Sequence, residues 1–102
     1  MGRVETGEGE ALARLLHQRG RSHLRVSSRG HHLFVSSEEG GLLEPRLRLT
    51  ASPGRRYSVS FRHHSGRWEP APVVGTMVEV IDVVEAIAGW HLDPWPASGT
   101  YF

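Results

Sequence analysis

Apolar and polar residues alternate along the middle of the chain, between His23 and Gly66. The clearest stretch is residues 56–63, RYSVSFRH, in which Tyr, Val and Phe alternate with Arg, Ser and His. Successive side chains of a β-strand point to opposite faces of the sheet. The pattern therefore predicts strands that contribute to a sheet with one apolar face and one basic face.

Turn signals divide this alternating region into four strands and a shorter fifth. Glycine- and proline-containing turns separate the runs, and Pro70 and Pro72 are expected to end the last one, because proline cannot donate to a strand ladder. The short links favour an antiparallel meander. The predicted strands are His23–Ser27, His32–Ser37, Pro45–Ala51, Arg56–His64 and Arg67–Glu69.

A helix is predicted on each side of the strand region. Residues 10–19 carry leucines at helical spacing, and Gly20 is suited to follow the helix end. The second helix has the stronger start signal, because Thr76 and Glu79 have the spacing of a capping box. We expect this helix to run to about Ala88, with Gly89 ending it.

This order of elements predicts an α+β fold. We expect a two-layer domain in which an antiparallel meander of four or five strands packs its apolar face against an N-terminal and a C-terminal helix. The length of 102 residues fits one domain with one modest core. Residues 1–9 are expected to be frayed, and residues 90–102 to form an irregular aromatic tail that partly docks.

The basic face is the first candidate binding site. Its guanidinium groups suit bidentate pairing with phosphate, although the aromatic Phe34 stands alone on this face in the predicted register. Three interpretations stay open: a solvated polar face, a nucleic-acid or anion site, and a surface for an acidic protein partner. The candidate residues are Arg25, Arg46, Arg48, Arg56, Arg62 and His23, with His32 and His64 as further members.

Composition narrows the chemistry. All 12 basic residues are arginine, and with 11 acids the formal net charge is +1, which argues against tight nonspecific DNA binding. Lysine and asparagine, whose codons are A-rich, are both absent, and this indicates a high-GC, bacterial genome. The absence of lysine and cysteine excludes Schiff-base chemistry, disulfides, thiolate catalysis and zinc sites that need sulfur.

No motif predicts a reaction. The chain lacks a nucleophile-elbow motif and a glycine-rich phosphate loop, so we expect a non-catalytic protein without a cofactor. It has seven histidines, but the residues of each adjacent pair point to opposite faces of a strand. We therefore expect pH-sensitive surface imidazoles and no metal site, with a zinc or nickel site across neighbouring strands as the alternative.

Three carboxylates, Glu79, Asp82 and Glu85, form one stripe on the second predicted helix. Such a stripe could hold a divalent cation or serve as an acid–base pair. The simpler interpretation is the solvent edge of a buried helix, and a further structural option is pairing with an arginine of a neighbouring subunit.

The segment Arg67–Pro72 combines a tryptophan with two prolines. Trp68 is expected to anchor the core before a forced change of direction, and a peptide-binding groove is the functional alternative.

The second helix also suggests a partner. Apolar residues cover more of its circumference than a small two-layer domain must bury, so Val80, Val84 and Ile87 are candidate oligomer-interface residues. We therefore expect a non-catalytic interaction module or homodimer first, and a nucleic-acid or anion-binding module second.

No apolar run approaches the roughly 18 residues of a membrane span, and the N-terminus lacks a signal peptide, so we expect a cytoplasmic protein without a membrane partner.

Overall fold

The chain folds into a five-stranded antiparallel sheet with one helix at each end, as seen in a computed structural model. The structure describes residues 7–39, 41–63, 65–89 and 92. The α+β fold predicted from the sequence is confirmed. The elements are α1 (Glu8–Gln18), β1 (Leu24–Arg29), β2 (His32–Glu39), β3 (Leu42–Ser52), β4 (Arg56–Arg62), β5 (Trp68–Gly75) and α2 (Met77–Ala88).

The strands form a simple meander. Their spatial order is β1-β2-β3-β4-β5, and every neighbouring pair is antiparallel. Tight turns make this order possible: Gly30 and Gly54 adopt positive φ angles of 60° and 80°, which glycine tolerates without steric cost. β1 and β5 are consequently the two edge strands.

Both helices pack against the same face of the sheet, which we call the inner face. Leu12 and Leu16 of α1 and Val80, Ile81 and Val84 of α2 are fully buried there. Removal of this apolar surface from water is the main source of stability for such a fold. The buried inner-face residues of the strands are Leu24, Leu33, Val35, Leu47, Leu49, Tyr57 and Val59.

The predicted helix ends are also present. After α1, Gly20 has a φ of 79°, and the N–H groups of Gly20 and Arg21 bond back to the carbonyls of His17 and Leu16, as in a Schellman motif. At α2, the Thr76 hydroxyl accepts a hydrogen bond from the Glu79 N–H, and the Glu79 carboxylate accepts one from the Thr76 N–H. The capping box is therefore confirmed.

Most element boundaries differ from the prediction by a few residues, and the differences at α1 and β5 bear most on the packing. α1 begins at Glu8, two residues early, and its Glu8 carboxylate accepts a hydrogen bond from the Tyr57 hydroxyl. Burial, followed by this hydrogen bond, raises the pKa of Tyr57 above its ordinary value. β5 continues through Pro70 and Pro72 to Gly75, because an edge strand needs ladder hydrogen bonds on one side only.

The chain termini are described only in part. The predicted frayed start lies outside the described residues up to residue 6, and so does the predicted aromatic tail apart from Leu92. Leu92 is fully buried in the core. No helix in the described part of the chain is long and apolar enough to cross a lipid bilayer.

Candidate functional site on the outer sheet face

The strands present their second set of side chains on the side opposite the helices, which we call the outer face. Phe34, Arg48, Ser60 and Pro70 are consecutive cross-strand partners and form one row from β2 to β5. A parallel row one step along the strands contains His32, Thr50, Ser58 and Val74. The outer face is therefore polar and basic, but it also carries aromatic and apolar side chains.

Arg48 and Arg62 converge on the indole ring of Trp68. Their guanidinium carbons lie 4.9 Å and 5.2 Å from the ring centroid, within the range of cation–π contacts. Arg62 is the direct cross-strand partner of Trp68, whereas Arg48 reaches the ring from β3. The Nε atom of Arg48 is buried and has no hydrogen-bond partner in the described structure.

An aromatic row extends from Trp68 across the outer face. The ring centroids of Phe34 and Trp68 are 5.9 Å apart, and those of His32 and Phe34 are 5.7 Å apart, both in tilted arrangements. These distances fall within the range preferred by aromatic pairs. The sequence analysis predicted that Phe34 stands alone on this face. In the structure it has two aromatic neighbours, His32 and Trp68.

His32 closes one end of this row. Its Nδ1 atom lies 2.9 Å from the Thr50 hydroxyl oxygen on β3. Burial, together with the positive charge of Arg48 and neighbouring His31, lowers the pKa of His32 below its ordinary value. The neutral imidazole is therefore favoured at this position.

Two other predicted basic residues lie on the outer face but away from Trp68. Arg25 is on edge strand β1, where its Nε is 3.0 Å from a Glu38 carboxylate oxygen. Arg56 is exposed at the start of β4, and its guanidinium reaches the Val74 carbonyl at 3.5 Å. Arg25 already has a counterion, and Arg56 extends the positive surface along the sheet.

The remaining two members of the predicted basic face point elsewhere. Arg46 is only 2% exposed, and its Nε donates a 3.1 Å hydrogen bond to the buried Ser37 hydroxyl. The cause is a register shift after Val35, which leaves Arg46 without a cross-strand partner and breaks the alternation. His23 precedes β1, and its Nε2 lies 2.8 Å from the Leu92 carbonyl. The outward placement predicted for Arg46 was wrong, and His64 lies outside the described residues.

Trp68, like Arg46, lies on the face opposite to the one predicted from the sequence. It was expected to anchor the core, but it lies on the outer face against Phe34 and the two arginines. A signal was available, because a hairpin turn around Ser65-Gly66 pairs Arg62 with Trp68 and puts both on the basic face.

The three candidate interface residues of α2 have different environments. Val80 and Val84 are fully buried in the chain's own core, so they present no surface to a partner. Ile87 is 65% exposed. Most of the apolar surface of α2 is thus buried within the chain, and only Ile87 of the three can contribute to an interface.

The acidic stripe of α2 is explained by intrachain contacts. Arg19 donates to Asp82 and Glu85 at 2.6 Å each, and Arg21 donates to Glu85 at 3.0 Å. Burial alone would raise the pKa of Glu85, but the hydrogen bonds from both arginines outweigh burial and lower it. The option of an arginine from a neighbouring subunit is not needed for Asp82 and Glu85, because arginines of the same chain pair with both carboxylates. The described residues contain no cluster of three potential metal ligands.

Comparisons with protein-family models, with curated proteins and with solved structures find no match for this chain. The functional argument therefore depends on the chemistry of the outer face alone.

Proposed function

We propose that the protein is a nucleic-acid-binding module and that Arg48 and Arg62 on the outer face contact the phosphates. The observation that carries the proposal is the convergence of both guanidinium groups on Trp68, at 4.9 Å and 5.2 Å. Guanidinium groups match phosphate oxygens bidentately, and aromatic rings on a sheet surface are suited to stack with bases.

Charge distribution supports this proposal more than net charge does. Neither Arg48 nor Arg62 forms an ion pair with a carboxylate among the described residues, whereas Arg19, Arg21 and Arg25 do. The two arginines beside Trp68 therefore keep their positive charge uncompensated. A nearly neutral chain can still attract a polyanion to such a local patch.

The buried, unpartnered Nε of Arg48 adds a driving force for phosphate binding. A buried donor without a partner costs about 1–3 kcal/mol, and the Arg48 Nε is such a donor. A phosphate that reorients the guanidinium and accepts from this Nε would recover part of that cost. Binding is then favoured by hydrogen bonding as well as by charge.

A salt titration tests the proposal. Fluorescence anisotropy of a labelled mixed-sequence oligonucleotide is followed at several salt concentrations for the native protein and for Arg48→Ala, Arg62→Ala and Arg14→Ala. Arg14 is an exposed arginine of α1 in the other layer, so it controls for the loss of one charge. We expect each outer-face variant to lower the salt slope by about 0.7–0.9, one phosphate contact, while Arg14→Ala leaves it unchanged. Equal effects of all three variants would contradict the proposal.

The exposure of Ile87 favours a second candidate, a protein interface on α2. Val83, one turn earlier on the same side of the helix, is half-buried, so the two form a small apolar stripe. Under this candidate the protein is a homodimer, and light scattering would give twice the 11.4 kDa chain mass. Ile87→Asp should then yield a folded monomer, because Ile87 is not part of the core. A native protein that stays monomeric at high concentration would exclude the homodimer.

A further inference from the structure

We infer that the nucleic acid is single-stranded and that it stacks an unpaired base on the solvent side of the Trp68 ring. This inference rests on the proposed function and specifies its ligand. Its starting point is the position of the aromatic rings: Phe34 belongs to β2 and Trp68 to β5, yet their centroids are 5.9 Å apart. Two strands, β3 and β4, lie between them.

Neighbouring strands are about 4.8 Å apart, so three strand spacings separate the backbones of β2 and β5 by about 14 Å in a flat sheet. Curvature of the sheet and the reach of the two side chains bring the rings together across β3 and β4. They consequently form a continuous aromatic surface over the middle of the outer face, rather than two separate rings at its sides.

Arg48 and Arg62 originate from the two strands beneath this surface. Their guanidinium carbons lie over the Trp68 ring, 4.9 Å and 5.2 Å from its centroid. Trp68 is only half-buried, so it keeps surface that a ligand can reach. We place the base on this open surface, where its own phosphate comes close to the two arginines.

The same arrangement selects among ligand classes. A cationic ligand, such as the ammonium groups that aromatic cages bind, would be repelled by two arginines at 4.9 Å and 5.2 Å from the ring. A duplex offers phosphates but keeps its bases stacked inside the helix. An unpaired nucleotide supplies both the planar base and the phosphate. The hydroxyl of half-buried Ser58 on the same face can bond any base, which suits binding with little sequence preference.

The decisive experiment compares strands and variants at one salt concentration. The labelled oligonucleotide is used as a single strand, annealed to its complement, and as a single strand with abasic sites at successive positions. The proteins are the native chain, Trp68→Leu, Trp68→Phe and Arg62→Ala, each checked for an unchanged thermal unfolding transition. Trp68→Phe serves as the conservative control because it retains a ring.

We expect the native protein to bind the single strand about 10-fold more tightly than the duplex, a value within the range for one stacked base. Trp68→Leu should lose about 5-fold to 150-fold of the single-strand affinity, the range for one stacked base, with an unchanged salt slope. Trp68→Phe should retain most of the affinity. Abasic substitution at the stacking position should reproduce the loss in the native protein but not in Trp68→Leu.

The results separate failure of this inference from failure of the proposed function. Equal affinity for duplex and single strand would overturn base stacking and leave phosphate binding in place. The same conclusion would follow if Trp68→Leu kept the native affinity while Arg62→Ala bound more weakly. Absence of binding to either form at low salt would overturn both.

Discussion

Leu33 and Phe34 are neighbours in β2, yet they lie on opposite faces of the same sheet in very different surroundings. Leu33 is fully buried beneath the helices, among leucines and valines. Phe34 is half-buried and lies beside Trp68 and His32, with Arg48 directly across the strand pair. The comparison shows that the inner face contributes stability through close packing, whereas the outer face holds charge against aromatic rings.

The layers above the two faces differ as well. Over the inner face, the segment that follows α1 is joined to α2, because Arg19 pairs with Asp82 and Glu85 and Arg21 pairs with Glu85. In the described part of the chain, neither helix covers the outer face. Asp82 and Glu85 are thus paired within the chain, whereas Arg48 and Arg62 pair with no carboxylate among the described residues.

The largest expected effect comes from breaking the inner face. Leu33→Ala should lower the free energy of unfolding by about 2–5 kcal/mol, because it leaves a cavity in the core. Phe34→Leu should lower it by only about 0.5–1.5 kcal/mol, the scale of an aromatic pair. Urea denaturation measures both. Oligonucleotide affinity should show the opposite order, and equal losses of stability in the two variants would contradict the division between the faces.

Arg46 and Arg48 provide a second, smaller contrast. Arg46→Ala should cost about 1–3 kcal/mol, because it removes a buried side chain that hydrogen-bonds Ser37. Arg48→Ala should cost less than about 1 kcal/mol, because the loss of its cation–π contact is offset by removal of its unpaired buried Nε. Urea denaturation of each variant tests the order. A larger destabilisation by Arg48→Ala would mean that the outer face also holds the fold together.

The smallest expected effect is a pH dependence in two steps. The folded protein disfavours protonated His32, so its contribution to stability is complete above about pH 6.5 and declines as the pH falls toward its lower folded pKa. The pKa of Glu85 is also lowered on folding, so its contribution is lost only as the pH falls below about 4.5.

Thermal unfolding measured from pH 7 to pH 3 tests these steps. His32→Gln on the outer face should remove the first decline and keep the second, and Glu85→Gln in the helix layer should do the reverse. If either variant changed both declines, the two groups would not titrate independently.

Sequence periodicity could predict the fold because most of it depends on local signals. The alternation of residues 56–63 and the capping box at Thr76 both have the predicted structural counterparts. The burial of Arg46 could not be predicted by counting alternate residues, because one extra residue in β3 shifts the pattern.

The candidate site was predictable only in part. Arg48 and Arg62 lie on the predicted face, but their meeting point at Trp68 depends on the path of β5. That strand tolerates Pro70 because it lies at the edge of the sheet, and edge position is a property of the tertiary fold. The contact between the Phe34 and Trp68 rings across β3 and β4 has no local sequence signal, so it could be seen only in the structure.

The most direct test of the account is side-chain NMR of the labelled protein during titration with a single-stranded oligonucleotide. The signals to follow are the Nε–H groups of Arg48, Arg62 and Arg14, the indole N–H of Trp68, and the methyl groups of Ile87. The account predicts progressive shifts for Arg48, Arg62 and Trp68, with Arg14 and Ile87 unchanged. Shifts at Arg14 or Ile87 with a silent outer face would contradict it.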